Sequence, residues 1–498
     1  MRSGHRPVLL PHLLFLLASW SSIGSRHVAS GVGVNWGTSS SHPLPAAEVV
    51  AGILRPNNIT LVKLADAEPA VLEALSGSGV GVTVGIPNGM LRALSSSKKA
   101  AASWVHDNVT RYFPALRIEH IAVGDEPFLL SYGQQFQPFV LGAAMNIQLG
   151  LVAAKLANKI KVIVPCSSHV YQFNYMDNNS TGNRSDAVLL PSKGSFRPEL
   201  NITMHELLSF LTKHGSPFVI DIDPFLSFQQ NKNISNDYIL FSSKSRQLTD
   251  GRNKYKNFFD ASIDTLVTSL SKAGFGDMEI IVGRIGWPTD GAINATSSIA
   301  RTFMQGLVDH LQSKSGTPQR PKKPPLETYI FSLLDEDQRA ITTGDFERHW
   351  GIFTFDGQAK YNLDLGQGSK ELVNARNVDY LASKWCVVNN NLDLSNVSAS
   401  FRDACSNADC TALSPGGSCS GISWPGNVSY AYNNYFQQHD QRGDSCDFGG
   451  LGLITTVDPS VGECRFAVAV RSSSSPFVVA PALWWTIVMS ACSLLRLT

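Results

Sequence analysis

The sequence is short of charge. Only 16% of its 498 residues are Asp, Glu, Lys or Arg, and 41 basic against 40 acidic residues leave a net charge of +1. That balance lacks the electrostatic footprint of a nucleic-acid binder, so no nucleic-acid partner is expected. No CxxC pair occurs and His439 stands alone, so the ligand spacing of a zinc site is missing and no metal or cofactor is implied. No Gly-rich phosphate loop follows the first apolar strand, which counts against a doubly wound open sheet. Internal repeats are absent as well. Glycine (40) and proline (25) are plentiful, as suits a looped extracellular chain.

The two ends carry targeting patterns. Arg2, His5 and Arg6 precede an apolar run from Val8 to Trp20, with small residues around Ser25 and Ala29. This reads as a secretory signal peptide over residues 1–30, and Pro11 argues against a buried core helix. At the other end Ser472, Ser473 and Ser474 precede the apolar run Pro476 to Leu495, the pattern of a GPI-attachment signal over 467–498. A retained transmembrane helix is the alternative, since about 20 residues can span a bilayer. Cys386, Cys405, Cys410, Cys419, Cys446 and Cys464 crowd into one segment and read as a disulfide framework whose pairing stays open. Cys166 reads as a buried strand-end thiol, and Cys492 lies in the tail. Sequons from Asn58 to Asn427 predict glycosylated surface loops.

Between the ends, short apolar segments alternate with helix-compatible stretches. The predicted strands are 32–36, 60–64, 81–86, 120–123, 161–165, 218–222, 279–282 and 328–333. Their nearly continuous apolar character is that of parallel strands buried on both faces. Eight strands separated by helices predict an α/β fold, a (β/α)8 TIM barrel over residues 31–365. A linker (366–384) and a small disulfide-rich domain (385–466) follow. In such a barrel the functional residues sit just after each strand. Trp36, Asp66, Asn88, Asp125, Glu126, Ser167, Asp223, Arg284, Asp335 and Glu336 occupy those positions.

Carboxylates recurring on one face fit glycoside hydrolysis, which needs a proton donor and a second carboxylate across the scissile bond. Glu126 in VGDEP is the candidate acid/base. The ordered stretches IAVGDEP (121–127), KGSFRPEL (193–200), GSPFVIDIDPF (215–225), IGWPTDG (285–291), YIFSLLDEDQ (329–338) and FERHWGIFTFDG (346–357) carry a resemblance, as does GVGVNWGT from Gly31. With WCV at Trp385, ACSNADC (404–410), SYAYNNYFQ (429–437) and DPSVGECRF (458–466), the chain resembles a plant glycoside hydrolase family 17 β-1,3-glucanase carrying an X8 (family 43 carbohydrate-binding) module.

The resemblance implies a TIM barrel followed by an X8 domain, endo-1,3-β-glucosidase chemistry, and β-1,3-glucan (callose) as partner. It also implies a place at the outer leaflet of the plasma membrane or in the cell wall. It assigns Glu126 as the acid/base, with Glu336 and Arg339 orienting the site. Two departures stand out. Asp125 replaces an Asn, and Arg284 occupies the nucleophile position, where the family has Glu. A guanidinium about 4 Å from a developing oxocarbenium repels it by roughly 4 kcal/mol at an effective dielectric of about 20, where a carboxylate attracts it by as much. The reversal is on the order of 8 kcal/mol, or about a millionfold in rate. The cation is also expected to lower the pKa of Glu126. Asp223, in DIDPF, is expected to pair with Arg284, or alternatively to activate water in an inverting reaction. Trp36, Phe225, Trp287 and Trp350 are candidate sugar-stacking rings, with barrel-rim packing the alternative for each and favoured for Trp287; Tyr430, Tyr432 and Tyr435 give the module aromatic surface, with some of them needed in its core. Binding without turnover is therefore the alternative to hydrolysis, and a structural wall or plasmodesmal protein with a vestigial cleft is a third reading.

Overall fold

The computed structural model describes residues 32–172, 190–323, 326–366, 368 and 371–471. The expected signal peptide, the GPI serines Ser472 to Ser474, Cys492 and the sequons at Asn178, Asn179 and Asn183 lie outside these residues.

Nine parallel strands form one nearly closed sheet. They are β1 (Val32–Trp36), β2 (Leu61–Leu64), β3 (Gly81–Ile86), β4 (Arg117–Val123), β5 (Lys161–Ile163), β6 (Pro165–Ser167), β7 (Phe218–Asp221), β8 (Ile280–Ile285) and β9 (Thr328–Ile330). β1 pairs with both β2 and β9, and pairing runs outward to β5 on one side and β6 on the other. Those two strands are the halves of the single strand expected over 161–165, interrupted at Val164. The first half pairs with β4 and the second with β7, so the interruption joins the ends of the sheet into a barrel. Eight strands were expected, and the difference is this break.

Strand parity explains the interior. Successive side chains point to opposite faces of a strand. Leu61, Ala122, Ile163, Val219, Ile281 and Tyr329 form one buried cluster separate from the main core. Their sequence neighbours Val62, Ile121, Val162, Ile220 and Ile330 pack in that main core with the helices. Two residues on from Leu61 and Val219 the same interior face carries Lys63 and Asp221, both buried. Parity thus stacks polar residues above an apolar layer, at the C-terminal end of the barrel.

The surrounding helices are amphipathic by the same logic. In α5 (Ser297–Gln312) the buried residues Ala300, Phe303, Met304, Leu307, Val308 and Leu311 fall at helical spacing, and Thr296 caps the first turn by accepting from the Ile299 amide. The other helices used below are α3 (Pro224–Gln230), α6 (Val397–Asn407) and α7 (Gly426–Gln438).

The C-terminal domain pairs β10 (Trp385–Val388) antiparallel with β11 (Gly452–Thr455) and packs β10 against α7. The six cysteines form Cys386–Cys446, Cys405–Cys410 and Cys419–Cys464. Trp385 donates from its indole to the Phe466 carbonyl at 2.7 Å, which ties the end of the domain to its start. Tyr430 and Tyr432 are buried in its two clusters, so neither ring is a surface for ligand. Cys166 is free and buried. Among the described residues no helix is long and apolar enough to cross a membrane.

The expected stacking rings are corrected, and Trp287 and Trp350 are buried as the packing alternative had it. Phe225 is 0% exposed and meets Trp287, Phe346 and Trp350 edge-on, so it has no face to offer a sugar. Trp36 is 4% exposed within the main core. The Pro224 that opens α3 drives Phe225 inward at the first helical turn. Phe225→Ala should therefore destabilise the fold by about 3–5 kcal/mol, as a cavity of that size does. A denaturation midpoint unchanged from wild type would contradict this placement.

Candidate active site

The site forms where the tops of β4, β7 and β8 meet. Glu126 follows β4 and adopts φ = 47°, a left-handed conformation uncommon for a residue with a side chain. Its backbone is fixed from β3: the Asn88 amide group donates to the Asp125 carbonyl at 2.7 Å, and the Asp125 amide donates to Asn88 Oδ1 at 2.9 Å. This reciprocal pair sets the turn that points Glu126 into the barrel mouth.

Arg284 reaches the same point through a bulge. Ile280, Ile281 and Val282 of β8 face Phe218, Val219 and Ile220 of β7 in register, but Arg284 then faces Asp221. Gly283 is the extra residue, and the inserted residue shifts the facing of everything after it. Only glycine fits there, because a Cβ would stand 2.5 Å from Val219 Cγ1 and 2.6 Å from Asp221 Oδ1. The shifted strand sends the guanidinium across the barrel, where Nη2 donates to Glu126 Oε2 at 2.9 Å. The two side chains are 19% and 7% exposed, so the pair is largely removed from water.

More charge surrounds this pair. Lys63 Nζ lies 4.0 Å from Asp125 and donates to Asn35 Oδ1 at 3.3 Å. Asp221 is 1% exposed, and neither carboxyl oxygen has a hydrogen-bond partner. On the other flank Glu336 accepts from the Ser39 amide at 3.0 Å and lies 3.5 Å from Arg339, which also contacts Glu347 at 3.3 Å. The ring of Phe331 lies beneath both guanidinia, with centroid distances of 4.9 Å to Arg284 and 4.6 Å to Arg339.

The protonation pattern follows from crowding. Glu126, Asp125 and Asp221 place three carboxylates against the cations Lys63 and Arg284, one negative charge too many for a dry site. Burial pushes the Glu126 carboxyl up to about 8; Arg284 pulls against the rise, and Asp221 and Asp125 add to it. The cation lowers it as expected, but the net direction is upward, because desolvation and two neighbouring acids outweigh one guanidinium. Burial likewise raises Asp221. Desolvation opposes the charge on Asp125, but Lys63, Arg284 and Arg339 outweigh it and hold that half-exposed carboxyl below its usual range. The carboxylates around Arg284 keep it firmly protonated despite its burial.

A second expectation is corrected. Asp223 does not pair with Arg284; its Oδ1 accepts from the Leu226 amide at 2.9 Å and caps α3. Pro224 starts that helix directly after Asp223, which commits Oδ1 to the cap, while Arg284 and Glu347 act on the carboxyl only at longer range. Glu336 and Arg339 are brought together as expected. Lys63, Asn35 and Glu347 were missed by sequence reasoning, although a lysine inside the apolar strand LVKL is a legible signal of a charge on the barrel interior.

Comparison with known proteins settles the family. The profile of Glycosyl hydrolases family 17 matches residues 32–365, and that of the X8 domain matches 384–453. The chain belongs to glycosyl hydrolases family 17. This family 17 chain is 57% identical over 466 residues to "Glucan endo-1,3-beta-glucosidase 9" of Arabidopsis thaliana, covering 93% of this chain and 94% of that one. It is 32% identical over 464 residues to "Glucan endo-1,3-beta-D-glucosidase" of Olea europaea, covering 91% and 96%. Among solved structures, its barrel resembles a β-1,3-glucanase and allergen of Cryptomeria japonica pollen, at a TM-score of 0.62 and 32% identity over 68% of this chain and 100% of that one. The family 17 barrel and the X8 domain thus account for the two folded units.

The raised acid has a consequence for stability. A carboxyl whose folded pKa lies above its unfolded value stabilises fully below the unfolded pKa, and that contribution is lost as pH rises through the folded one. For Glu126 the window runs from its ordinary 4.5 to about 8. The thermal midpoint should fall across this window, and Glu126→Gln should flatten the fall. Equal slopes in the two proteins would refute the assignment of the raised pKa to Glu126.

Proposed function

We propose that this family 17 protein engages β-1,3-glucan in its barrel cleft and that hydrolysis is lost or crippled. The observation that carries this reading is the 2.9 Å bond between Arg284 and Glu126. Retaining glycoside hydrolysis sets a nucleophilic carboxylate opposite the acid, about 5–5.5 Å away. Here a guanidinium fills that place, bonds the acid directly and offers no nucleophile. Burial favours the protonated form of Glu126, which suits a donor, but the group opposite it is a cation and repels the oxocarbenium that protonation would create. The remaining polar groups, Asp125, Glu336 and Arg339, can hydrogen-bond a neutral sugar chain.

The same reading places the protein outside the cell, on callose-type glucan at the plasma membrane's outer face or in the wall, held by a GPI anchor at Ser472, Ser473 or Ser474. The apolar run at the N-terminus, the sequons and the C-terminal apolar tail support it. So do three disulfides, which persist in oxidising compartments. Release of the cell-bound protein by a phosphatidylinositol-specific phospholipase checks the anchor; retention after treatment would point to the transmembrane alternative.

Laminarin separates binding from turnover. The purified ectodomain should bind it while hydrolysing it on the order of a millionfold more slowly than a site with a carboxylate at this position. Arg284→Glu alone sets four carboxylates against Lys63, so Arg284→Glu combined with Asp221→Asn should recover more turnover than the single change. Robust hydrolysis by the wild type would overturn the loss of catalysis, and failure to bind laminarin would overturn the glucan reading.

A further inference from the structure

The X8 domain meets the barrel at His42, at Asp290 and along residues 335–350, and the last of these carries part of the cleft. Residues 335–350 follow β9 and include Glu336, Arg339 and Glu347. Arg348 links the two regions. Its Nε donates to the Arg339 carbonyl at 3.1 Å, and its Nη1 donates to Asp409 Oδ1 of the X8 domain at 3.1 Å. The Arg348 and Asp409 side chains are only 17% and 16% exposed, so this ion pair is shielded from the solvent that weakens surface pairs.

Further bonds run alongside it. His349 Nε2 lies 2.7 Å from Thr411 Oγ1, Asp345 accepts from the Ser414 hydroxyl, and Gln438 of α7 donates to Asp337 at 2.8 Å. Asp409 is itself held by the amide and hydroxyl of Thr411, at 3.0 Å and 2.6 Å. The disulfide Cys405–Cys410 closes the loop before it. The X8 side of the contact is therefore stiff, and the barrel side is an irregular segment whose only regular turn is Asp345–Arg348. Open grooves line the junction between Gln338, Arg348, Asn407 and Thr411, so hydrogen bonds rather than a continuous apolar seal hold it.

We propose that the X8 domain braces the cleft from outside, with Asp409 acting through Arg348 as a positioning residue for Arg339 and Glu336. The inference deepens the glucan reading and rests on it for its ligand. X8 contributes to glucan binding even when the sugar is too short to touch it, because it fixes the segment that lines the barrel. The coupling is short: one ion pair, one guanidinium and one carbonyl separate the X8 surface from the Arg339 backbone.

The test compares the full chain with Asp409→Ala and Arg348→Met, one variant from each side of the contact, and with their combination. Amide hydrogen exchange is followed at Glu336 and Arg339, and laminaritriose is titrated into each protein. Exchange at those amides should quicken about tenfold in either variant, with no further gain in the double variant, as for the loss of one charge-assisted bond. Affinity for laminaritriose should fall by a similar factor. Val457→Ser, on the exposed X8 surface, should change neither. Unaltered exchange in both variants would overturn the brace, and faster exchange with unaltered affinity would overturn its link to the cleft. Faster exchange in the variants, together with a wild type that does not bind laminaritriose at all, would uphold the brace and sink the glucan reading instead.

Discussion

The contact between Arg284 and Glu126 governs the rest of the site. A buried guanidinium is stable only when carboxylates surround it, and a buried carboxylate of raised pKa is steadied by the guanidinium it meets. At 2.9 Å the two satisfy each other, while Asp221 and Asp125 add negative charge and Lys63 balances it. The ensemble is an electrostatic unit: changing one member alters the protonation of the others. The proposed glucan-binding face and the cation that meets Glu126 are two aspects of the same arrangement.

Geometry makes that contact possible. The partners are 158 residues apart and meet because a bulge at Gly283 turns the end of β8. The bulge needs glycine, since any side chain there would collide with Val219 and Asp221. Asn88 performs the matching task on the other wall by clamping the backbone of Asp125. Neither residue belongs to the Arg284–Glu126 pair, yet both decide where that pair points. The X8 contacts extend the same principle outward, from the Arg339 carbonyl through Arg348 to Asp409.

Most of the fold was legible in advance. Short, doubly buried strands announce themselves by near-continuous apolar runs, and Val32–Trp36 and Gly81–Ile86 form as read. The break at Val164 was not legible, because it reflects which neighbour each half of the strand pairs with. Glu126, Arg284, Glu336 and Arg339 were found from strand ends and motif resemblance. Lys63 was readable as a charge within LVKL but its partners Asn35 and Asp125 were not, and Glu347 escaped because its contact with Arg339 depends on how an irregular segment folds. The pairing of Asp223 with Arg284 failed for a local reason: Pro224 begins a helix, and the carboxylate is drawn to cap it.

The sequence by itself determined the alternation of strands and helices, the six-cysteine segment, the family resemblance and the presence of an arginine where a carboxylate was required. These are recorded in burial periodicity and in residue identity, which are local properties. Tertiary structure alone decided which acid that arginine meets, how the cysteines pair, and that Phe225 and Trp36 turn into the core. It also decided that the X8 domain grips residues 335–350. Partner choice in a dry, crowded site depends on the summed field of groups from separate strands and on small shifts such as the Gly283 bulge. That information exists only once the chain has closed into a barrel.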